Sequence, residues 1–256
     1  MKSLTEYTLN LKNQNKKALV TYITAGLESW VDALHSSCDS GADLLEVGLP
    51  FSDPIMDGPI IAKASYMSLE NGSKTLDLID QVAKANFYKP VAIMTYANVL
   101  YAHGVKEIVA RIEDAGIKGL IIPDLTYEQS AMFTDELSNK DIALIPLVAS
   151  TTEEERRKRI IDSAEGFLYC VAIKGITGQD VDIASSYTDF IEEISSQSTV
   201  PTYCGVGIRT ESDAKEISAL CDGVIVGTSI VEKMIDGSDP VNEVASLVSK
   251  FRKALD

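Results

Sequence analysis

Residues 91–124 read VAIMTYANVLYAHGVKEIVARIEDAGIKGLIIPD and contain two short apolar runs on either side of a longer amphipathic segment. In the amphipathic segment, VKEIVARIEDAG, apolar residues recur every three or four positions and a glycine stands near its end, which predicts a helix. The flanking runs VAIMTY and GLIIPD are short and rich in apolar residues, as buried strands are. The stretch therefore predicts two parallel strands joined by a helical crossover.

The same alternation extends in both directions, from about residue 19 to about residue 229. Eight apolar runs recur: LVTYITA from Leu19, DLLEVGL from Asp43, VAIMTY from Val91, GLIIPD from Gly119, ALIPLVA from Ala143, GFLYCVA from Gly166, TYCGVG from Thr202 and GVIVGTS from Gly223. Eight strands separated by helices predict an α/β protein with right-handed crossovers. Closing such a sheet leaves no exposed edge, so we expect a (β/α)8 TIM barrel, with an open doubly wound sheet as the alternative.

The length of the chain agrees with one barrel. Its 256 residues match the roughly 250 residues of this fold, and no linker-like stretch interrupts the eight units. We therefore predict a single (β/α)8 barrel domain over residues 1–256. The segments before Leu19 and after Val241 both have helical patterns, the first predicting an extra N-terminal helix that caps the barrel floor and the second completing the eighth unit.

Composition and charge exclude several classes of protein. The chain has 23 Lys and Arg against 38 Asp and Glu, a net charge of −15, and 45% hydrophobic residues. Nucleic-acid binding needs clustered basic residues, and the densest basic run, Arg156 to Arg159, directly follows three glutamates, which favours a solvated helix face. No signal-peptide core and no run approaching roughly 18 apolar residues is present, so we expect a cytoplasmic protein that does not span a membrane.

Cysteine and histidine are too few and too scattered for a metal site. The four cysteines form no CxxC pair, and His35 and His103 have no metal-ligand spacing, so we expect reduced thiols and no metal. Acid–base chemistry must then use carboxylates, tyrosine or lysine.

Glu46 is the first candidate for such chemistry. Period-two alternation in DLLEVGLP places Leu44, Glu46 and Gly48 on one face and the remaining apolar residues on the other. If the second face packs against helices, Glu46 points into the barrel, where burial raises the pKa of a carboxyl group toward neutrality. A glutamate paired with a lysine is the alternative interpretation.

The loop that follows, PFSDPIMDGP, carries Asp53 and Asp57 at the predicted mouth of the barrel. Aspartate before proline or glycine is common in turns, where the side chain bonds to the local backbone. A loop carboxylate opposite Glu46 is also a plausible acid–base partner. Both interpretations stay open on the sequence pattern.

Two glycine clusters predict a phosphate site. GVG from Gly205 ends the seventh strand, and GTS from Gly227 ends the eighth strand directly before a helix. Glycine lets backbone N–H groups approach an anion, and a helix N-terminus favours negative charge. A third cluster, GITGQD from Gly175, either closes over the same phosphate or is a flexible turn.

Aromatic residues also recur at strand ends and together suit a flat apolar ligand at one mouth of the barrel. These residues are Tyr22, Phe51, Tyr96, Phe167 and Tyr169. Lys174, just beyond the sixth strand, can form a Schiff base if it is desolvated, and its glycine-rich setting otherwise favours exposure to solvent.

Taken together, these stretches resemble the α subunit family of tryptophan synthase over about residues 17–235. The resemblance rests on LLEVGLPFSDPIMDGP, MTYANVLYAHG, GLIIPDL, ALIPLVAST, GFLYCVAIKGITG, GVGI and DGVIVGTSIV. It implies a lyase of tryptophan biosynthesis that cleaves indole-3-glycerol phosphate by a retro-aldol reaction to indole and glyceraldehyde 3-phosphate. It also implies an α2β2 complex in which indole passes to a β subunit that carries pyridoxal phosphate, with no cofactor in this chain.

The resemblance also implies roles for individual residues. Glu46 would be the catalytic acid and base, Asp57 would stabilise the indole N–H, and Tyr169 would support Glu46. The implied substrate contacts are Tyr22 and Tyr96, Thr177 and Gly178 on a closing loop, and the phosphate turns with Gly205, Gly207, Gly227 and Thr228. The β subunit would contact the surface around Pro50, Asp53 and Asn98. A Schiff-base aldolase using Lys174 and a mainly regulatory binding subunit are the competing hypotheses.

Overall fold

The structure, a computed structural model, describes residues 1–171, 183–205 and 207–256, with residues 183–187 described by their backbone alone. Three residues singled out above, Lys174, Thr177 and Gly178, lie outside this range, as does the GITGQD cluster.

The described residues form nine parallel strands in one sheet. They are β1 (Ala18–Thr24), β2 (Leu44–Gly48), β3 (Val91–Met94), β4 (Gly119–Ile121), β5 (Ala143–Ile145), β6 (Leu147–Ala149), β7 (Leu168–Val171), β8 (Thr202–Gly205) and β9 (Gly223–Val226). The order in the sheet is β5-β4-β3-β2-β1-β9-β8-β7-β6. This sequential order confirms the predicted barrel, because a doubly wound sheet reverses its strand order at a switch point.

The ninth strand arises because the fifth predicted run is divided at Pro146. The lower part pairs with β4 at Ile121↔Ile145, and the upper part pairs with β7 at Leu147↔Tyr169. Proline has no N–H to donate to a ladder, but the Pro146 carbonyl accepts a hydrogen bond from the Tyr169 N–H at 3.0 Å. The chain itself thus joins the two ends of the hydrogen-bonded sheet.

Twelve α-helices surround the strands in the described part of the chain. They are α1 (Ser3–Asn13), α2 (Trp30–Asp39), α3 (Pro59–Glu70), α4 (Thr75–Ala85), α5 (Ala97–His103), α6 (Val105–Asp114), α7 (Ala131–Leu137), α8 (Glu154–Asp162), α9 (Ile183–Gln197), α10 (Glu211–Ser218), α11 (Thr228–Asp236) and α12 (Pro240–Leu255). A short 3-10 helix spans Tyr127–Gln129. The helix predicted from VKEIVARIEDAG is confirmed as α6, and the run Arg156 to Arg159, predicted to lie on a helix, belongs to α8.

Alternate residues of the strands face two separate cores. Leu44 and Ile121 belong to a core inside the barrel, whereas Leu45 and Val47 belong to the larger core between strands and helices. The prediction that Leu44 and Glu46 share the inward face of β2 is therefore confirmed.

Helix α1 closes the floor of the barrel, as predicted. Leu4 and Leu11 pack in the inner core, and two threonines of α1 bind the backbone of Gly166. Thr5 Oγ1 accepts from the Gly166 N–H at 2.8 Å, and Thr8 Oγ1 donates to the Gly166 carbonyl at 2.5 Å. The floor is thus closed by apolar packing and by paired backbone groups.

A buried carboxylate ties the C-terminal helix to the same floor. The Asp43 side chain is buried and pairs with Lys16 and, at 3.0 Å, with Arg252 of α12. Its other contact is the Leu19 N–H, which donates to Asp43 at 3.1 Å. One carboxylate thereby links α12 with the starts of β1 and β2.

The basic run of α8 is only partly a solvated face. Arg159 has a side chain that is 61% exposed, as expected, but that of Arg157 is only 13% exposed. Arg157 pairs with Glu193 at 2.6 Å and lies over the Phe190 ring at 5.6 Å. The prediction is wrong for Arg157, because its side chain packs against Phe190 and pairs with Glu193, both on α9.

Among the described helices, none is both long and apolar enough to span a bilayer.

Candidate active site

A cavity of about 190 Å³ opens at the C-terminal ends of the strands, where barrels of this kind bind their ligands. Four functional side chains line it: Tyr22 from β1, Glu46 from β2, Asp57 from the loop after β2 and Tyr169 from β7. The structure thus brings together two of the three predicted carboxylates and two of the predicted aromatic residues, whereas Asp53 is not among the described residues that line the cavity.

Glu46 is buried without a hydrogen-bond partner. Its relative exposure is 0%, and neither of its carboxyl oxygens has a partner among the described residues. Burial raises the pKa of Glu46 to about 8, and the nearby charge of Asp57 contributes to the rise. No lysine of the described chain pairs with it, which removes support for a structural ion pair.

Asp57 differs from Glu46 in its surroundings. Burial raises the pKa of Asp57 to about 6, and a hydrogen bond with the Tyr96 hydroxyl opposes the rise. Near pH 7 the cavity therefore favours a protonated Glu46 next to an ionised Asp57. Two carboxyl groups whose pKa values are separated in this way can serve as an acid and an anion in one reaction.

Tyr169 covers a glycine of the neighbouring strand. A Cβ atom at Gly205 would lie 2.7 Å from the Tyr169 Cε1 and hydroxyl oxygen, so only glycine fits beside the ring. Burial and the charge of Glu46 raise the pKa of Tyr169 well above its usual range, which keeps the phenol neutral. Tyr169 is thus an uncharged neighbour of Glu46.

The two glycine turns that were predicted to bind phosphate lie at the same mouth. Gly207 has a φ of +69° and would have open space around a Cβ, while Gly227 is the N-cap of α11, which begins at Thr228. The first N–H groups of a helix have no partner within the helix, and they point toward an incoming anion. Both turns line the cavity together with Gly205.

The rest of the wall is apolar and includes residues that sequence reasoning missed. Met94, Ile121, Leu147 and Ile225 line the cavity from four strands. Extending the period-two alternation from Glu46 to every strand would have placed them on the inward face. These side chains form a surface suited to a flat apolar group.

Three of the five predicted aromatic residues are not among the described residues that line the cavity. Phe167 lies one level lower, in the inner core beside Leu4, and stacks on Tyr203 with ring centroids 4.6 Å apart. Its prediction as a mouth residue is wrong, because Phe167 precedes β7 and so faces the floor.

Tyr96 and Phe51 support the loop that carries Asp57. Their ring centroids lie 5.1 Å apart, and the Tyr96 hydroxyl accepts a hydrogen bond from the Met56 N–H at 3.0 Å. Tyr96 is only 2% exposed. A direct substrate contact for Tyr96 stays a prediction, whereas its contact with the loop is evident.

A larger cavity, of about 460 Å³, lies outside the barrel and is not the candidate site. It is lined by outward residues near the divided strand, such as Leu144, Pro146 and Ile160. Glu128 at its rim is exposed and pairs with Arg156 at 2.6 Å. None of the described residues that line this outer cavity is a buried, unpaired carboxyl group like Glu46.

Across residues 1–171, 183–205 and 207–256, no group of three or more potential ligands could hold a metal ion.

Comparison with known proteins gives one consistent result. A family model described as tryptophan synthase alpha chain matches residues 9–255. The chain is 37% identical to the tryptophan synthase alpha chain of Streptococcus pneumoniae strain 70585, over 98% of this chain and 99% of that protein.

Solved structures agree with the sequence comparison. The tryptophan synthase subunit alpha of Legionella pneumophila strain Paris superposes with a TM-score of 0.89 at 30% identity, covering 100% of this chain and 99% of that one. An aminoacrylate-bound tryptophan synthase from M. tuberculosis gives a TM-score of 0.87 at 26% identity, with 100% of each chain covered.

Proposed function

The chain belongs to the tryptophan synthase alpha chain family, and on that premise we propose that its cavity cleaves indole-3-glycerol phosphate to indole and glyceraldehyde 3-phosphate. The reaction is a lyase step of tryptophan biosynthesis. The observation that carries the proposal is Glu46, a fully buried carboxyl group at the mouth of the barrel that has no hydrogen-bond partner among the described residues.

Glu46 supplies the acid and then the base. In its protonated form it gives a proton to C3 of the indole ring, which makes the ring an electron acceptor. The resulting carboxylate takes the proton from the hydroxyl of the adjacent carbon, and the carbon–carbon bond breaks as that carbon becomes an aldehyde. The electron pair of the broken bond restores the indole ring, and Glu46 ends the cycle protonated.

Asp57 and the glycine turns hold the two ends of the substrate. The Asp57 carboxylate accepts a hydrogen bond from the indole N–H, which gains positive charge once C3 is protonated. The turns at Gly207 and at Gly227 with Thr228 bind the phosphate through backbone N–H groups and the N-terminus of α11. Tyr169, which is uncharged, keeps Glu46 in place. Thr177 and Gly178, which follow β7 in the sequence, remain proposed substrate contacts.

The first test replaces the proposed acid and base. Glu46→Gln keeps the size of the side chain but cannot exchange protons, so we expect indole release to fall at least roughly a thousandfold. Binding of indole-3-propanol phosphate, which cannot be cleaved, should change little.

The matched control is Glu155→Gln, since Glu155 is 93% exposed on α8, and it should retain full activity. Turnover by the Glu46→Gln protein close to the wild-type rate would refute the assignment.

We further propose that a β subunit covers the loop after β2 in an α2β2 complex. Ile55 and Met56 are 80% and 58% exposed in this loop, directly before Asp57, and large apolar residues at such exposure favour a partner surface. Asp53 and Asn98 are exposed as well, whereas Pro50 is buried and would lie beneath the contact surface.

The pyridoxal phosphate belongs to the β subunit, and this chain needs no cofactor for the cleavage. A cytoplasmic location is consistent with four free, buried cysteines.

A further inference from the structure

Tyr22 lies between the two ends of the cavity. Strand β1 pairs with β2 on one side, where Tyr22 is opposite Glu46, and with β9 on the other. Gly227 follows β9, and a Cβ atom there would lie 3.4 Å from Cβ and Cδ1 of Tyr22. The Tyr22 side chain therefore stands between the acid–base end and the phosphate turn.

The phenol of Tyr22 is held in place at this position. A Cβ atom at Gly48 would lie 2.0 Å from the Tyr22 hydroxyl oxygen, so the ring reaches across the end of β2 only because residue 48 is glycine. Thr24, two residues later on the same face of β1, has its Oγ1 3.4 Å from the Tyr22 hydroxyl. Tyr22 itself is 4% exposed.

This phenol keeps a proton that it can donate. Burial and the charge of Asp57 raise the pKa of Tyr22 well above its usual range, so the group is neutral. The Thr24 hydroxyl donates to the phenol oxygen, and no carboxylate in the described part of the chain accepts the phenol proton in a hydrogen bond. Because Tyr22 lines the cavity, its phenol proton is available to a ligand bound there.

We propose that the Tyr22 hydroxyl donates a hydrogen bond to a hydroxyl of the substrate's glycerol chain and so selects substrates that carry this group. The inference rests on the proposed function. The glycerol chain joins the indole ring, next to Glu46 and Asp57, to the phosphate at Gly227, and it therefore crosses β1. A site built to pair with a hydroxyl discriminates against analogues that lack it, because the buried donor is then left unpaired.

The test compares two ligands in a background that does not turn over. Calorimetry would measure binding to Glu46→Gln and to the double variant Glu46→Gln/Tyr22→Phe. One ligand is indole-3-glycerol phosphate, and the other is indole-3-propanol phosphate, which lacks both hydroxyls. We expect the loss of the phenol oxygen to weaken binding of the first ligand roughly tenfold and of the second by less than about twofold.

Tyr203→Phe is the matched control. Tyr203 is also buried and its hydroxyl has no partner among the described residues, but it lies in the inner core at the floor, so its replacement should leave both affinities within about twofold. Equal weakening of both ligands by Tyr22→Phe, or no weakening of either, would overturn the inference. Wild-type protein that releases no indole would instead refute the proposed function.

Discussion

At the scale of single residues, the proposed reaction depends on the difference in pKa between two carboxyl groups. Glu46 and Asp57 differ by only one methylene, yet the fold raises one pKa to about 8 and the other to about 6. Glu46 accepts no hydrogen bond from the described residues, whereas Asp57 has one with the Tyr96 hydroxyl. The difference in proton affinity thus arises from the surroundings of the two groups.

This contrast predicts a bell-shaped pH dependence of kcat/KM for indole release. Activity needs a protonated Glu46, which is lost as the pH rises through about 8, and an ionised Asp57, which is lost as the pH falls through about 6. We expect the maximum between these values. Steady-state rates from pH 5 to pH 10 at constant ionic strength would measure the profile.

Asp57→Asn is the informative variant for this profile, because it removes the group that sets the acidic limb. Its activity should be low but nearly independent of pH below about 7. A wild-type rate that stays constant up to pH 10 would contradict the assignment of Glu46 as the acid.

At the scale of secondary structure elements, two tyrosines follow one geometric rule. Tyr22 of β1 covers Gly48 of β2, and Tyr169 of β7 covers Gly205 of β8. In each case the tyrosine pairs in register with the residue two positions before the glycine. Side chains lean along their strand, so each ring reaches over the glycine that ends the neighbouring strand. The glycines are therefore required by the rings as well as by the turns.

Replacing Gly205 with alanine tests this rule. The new Cβ would lie 2.7 Å from the Tyr169 ring, which would have to shift toward the cavity that it lines, and we expect the free energy of unfolding to fall by roughly 1–3 kcal/mol. Urea denaturation would measure the change. Gly58→Ala is the control, since nothing lies within 4 Å of its Cβ and its φ is −69°. Equal stability of the two variants would show that Tyr169 does not require glycine at position 205.

The divided strand shows how one residue can change the partner of an element. Pro146 has no N–H, and the strand pairs with β4 before it and with β7 after it. Leu147 directly after the division lines both the active-site cavity and the larger outer cavity. The Leu147 side chain therefore separates the two cavities beside Pro146.

At the scale of the whole molecule, the contacts that close the floor and the residues of the proposed reaction lie at opposite ends of the barrel. The floor contains α1, the Asp43 ion pairs and the aromatic stack of Phe167 and Tyr203. The mouth contains the carboxyl groups, the glycine turns and an exposed apolar loop at Ile55. This separation is usual in such barrels.

We expect a β subunit to raise the rate of indole release roughly tenfold or more. Contact with Ile55 and Met56 would order the loop that carries Asp57 and so complete the site. Assays of the chain alone and with a saturating β subunit would measure the ratio. Equal rates in the two assays would contradict the prediction, and no turnover in either would favour a purely regulatory subunit.

An Ile55→Asp variant tests whether Ile55 contacts the β subunit without taking part in the cleavage reaction. Ile55 is not among the described residues that line the cavity, so the substitution should leave the rate of the isolated chain unchanged. The rise on adding the β subunit should be reduced, because a charge replaces the exposed apolar side chain.

The sequence by itself determined the barrel, the helix at its floor and the inward direction of Glu46. These features depend on periods of two and 3.6 residues, which are local properties of the chain. The glycine clusters at two late strand ends were likewise expected at one mouth, because the ends of parallel strands meet at one edge, whereas phosphate binding by them stays a prediction. That residues 1–256 form one domain stays a prediction.

Only the tertiary structure decided which groups share a cavity and in what protonation state. The pKa of Glu46 depends on its burial and on Asp57, and Phe167 lies in the inner core together with Leu4, which is more than 150 positions away in the chain. The division of the fifth strand likewise depends on two neighbours that are remote in sequence. Burial, charge interaction and packing act through distances in space, and a periodic pattern in the sequence does not contain those distances.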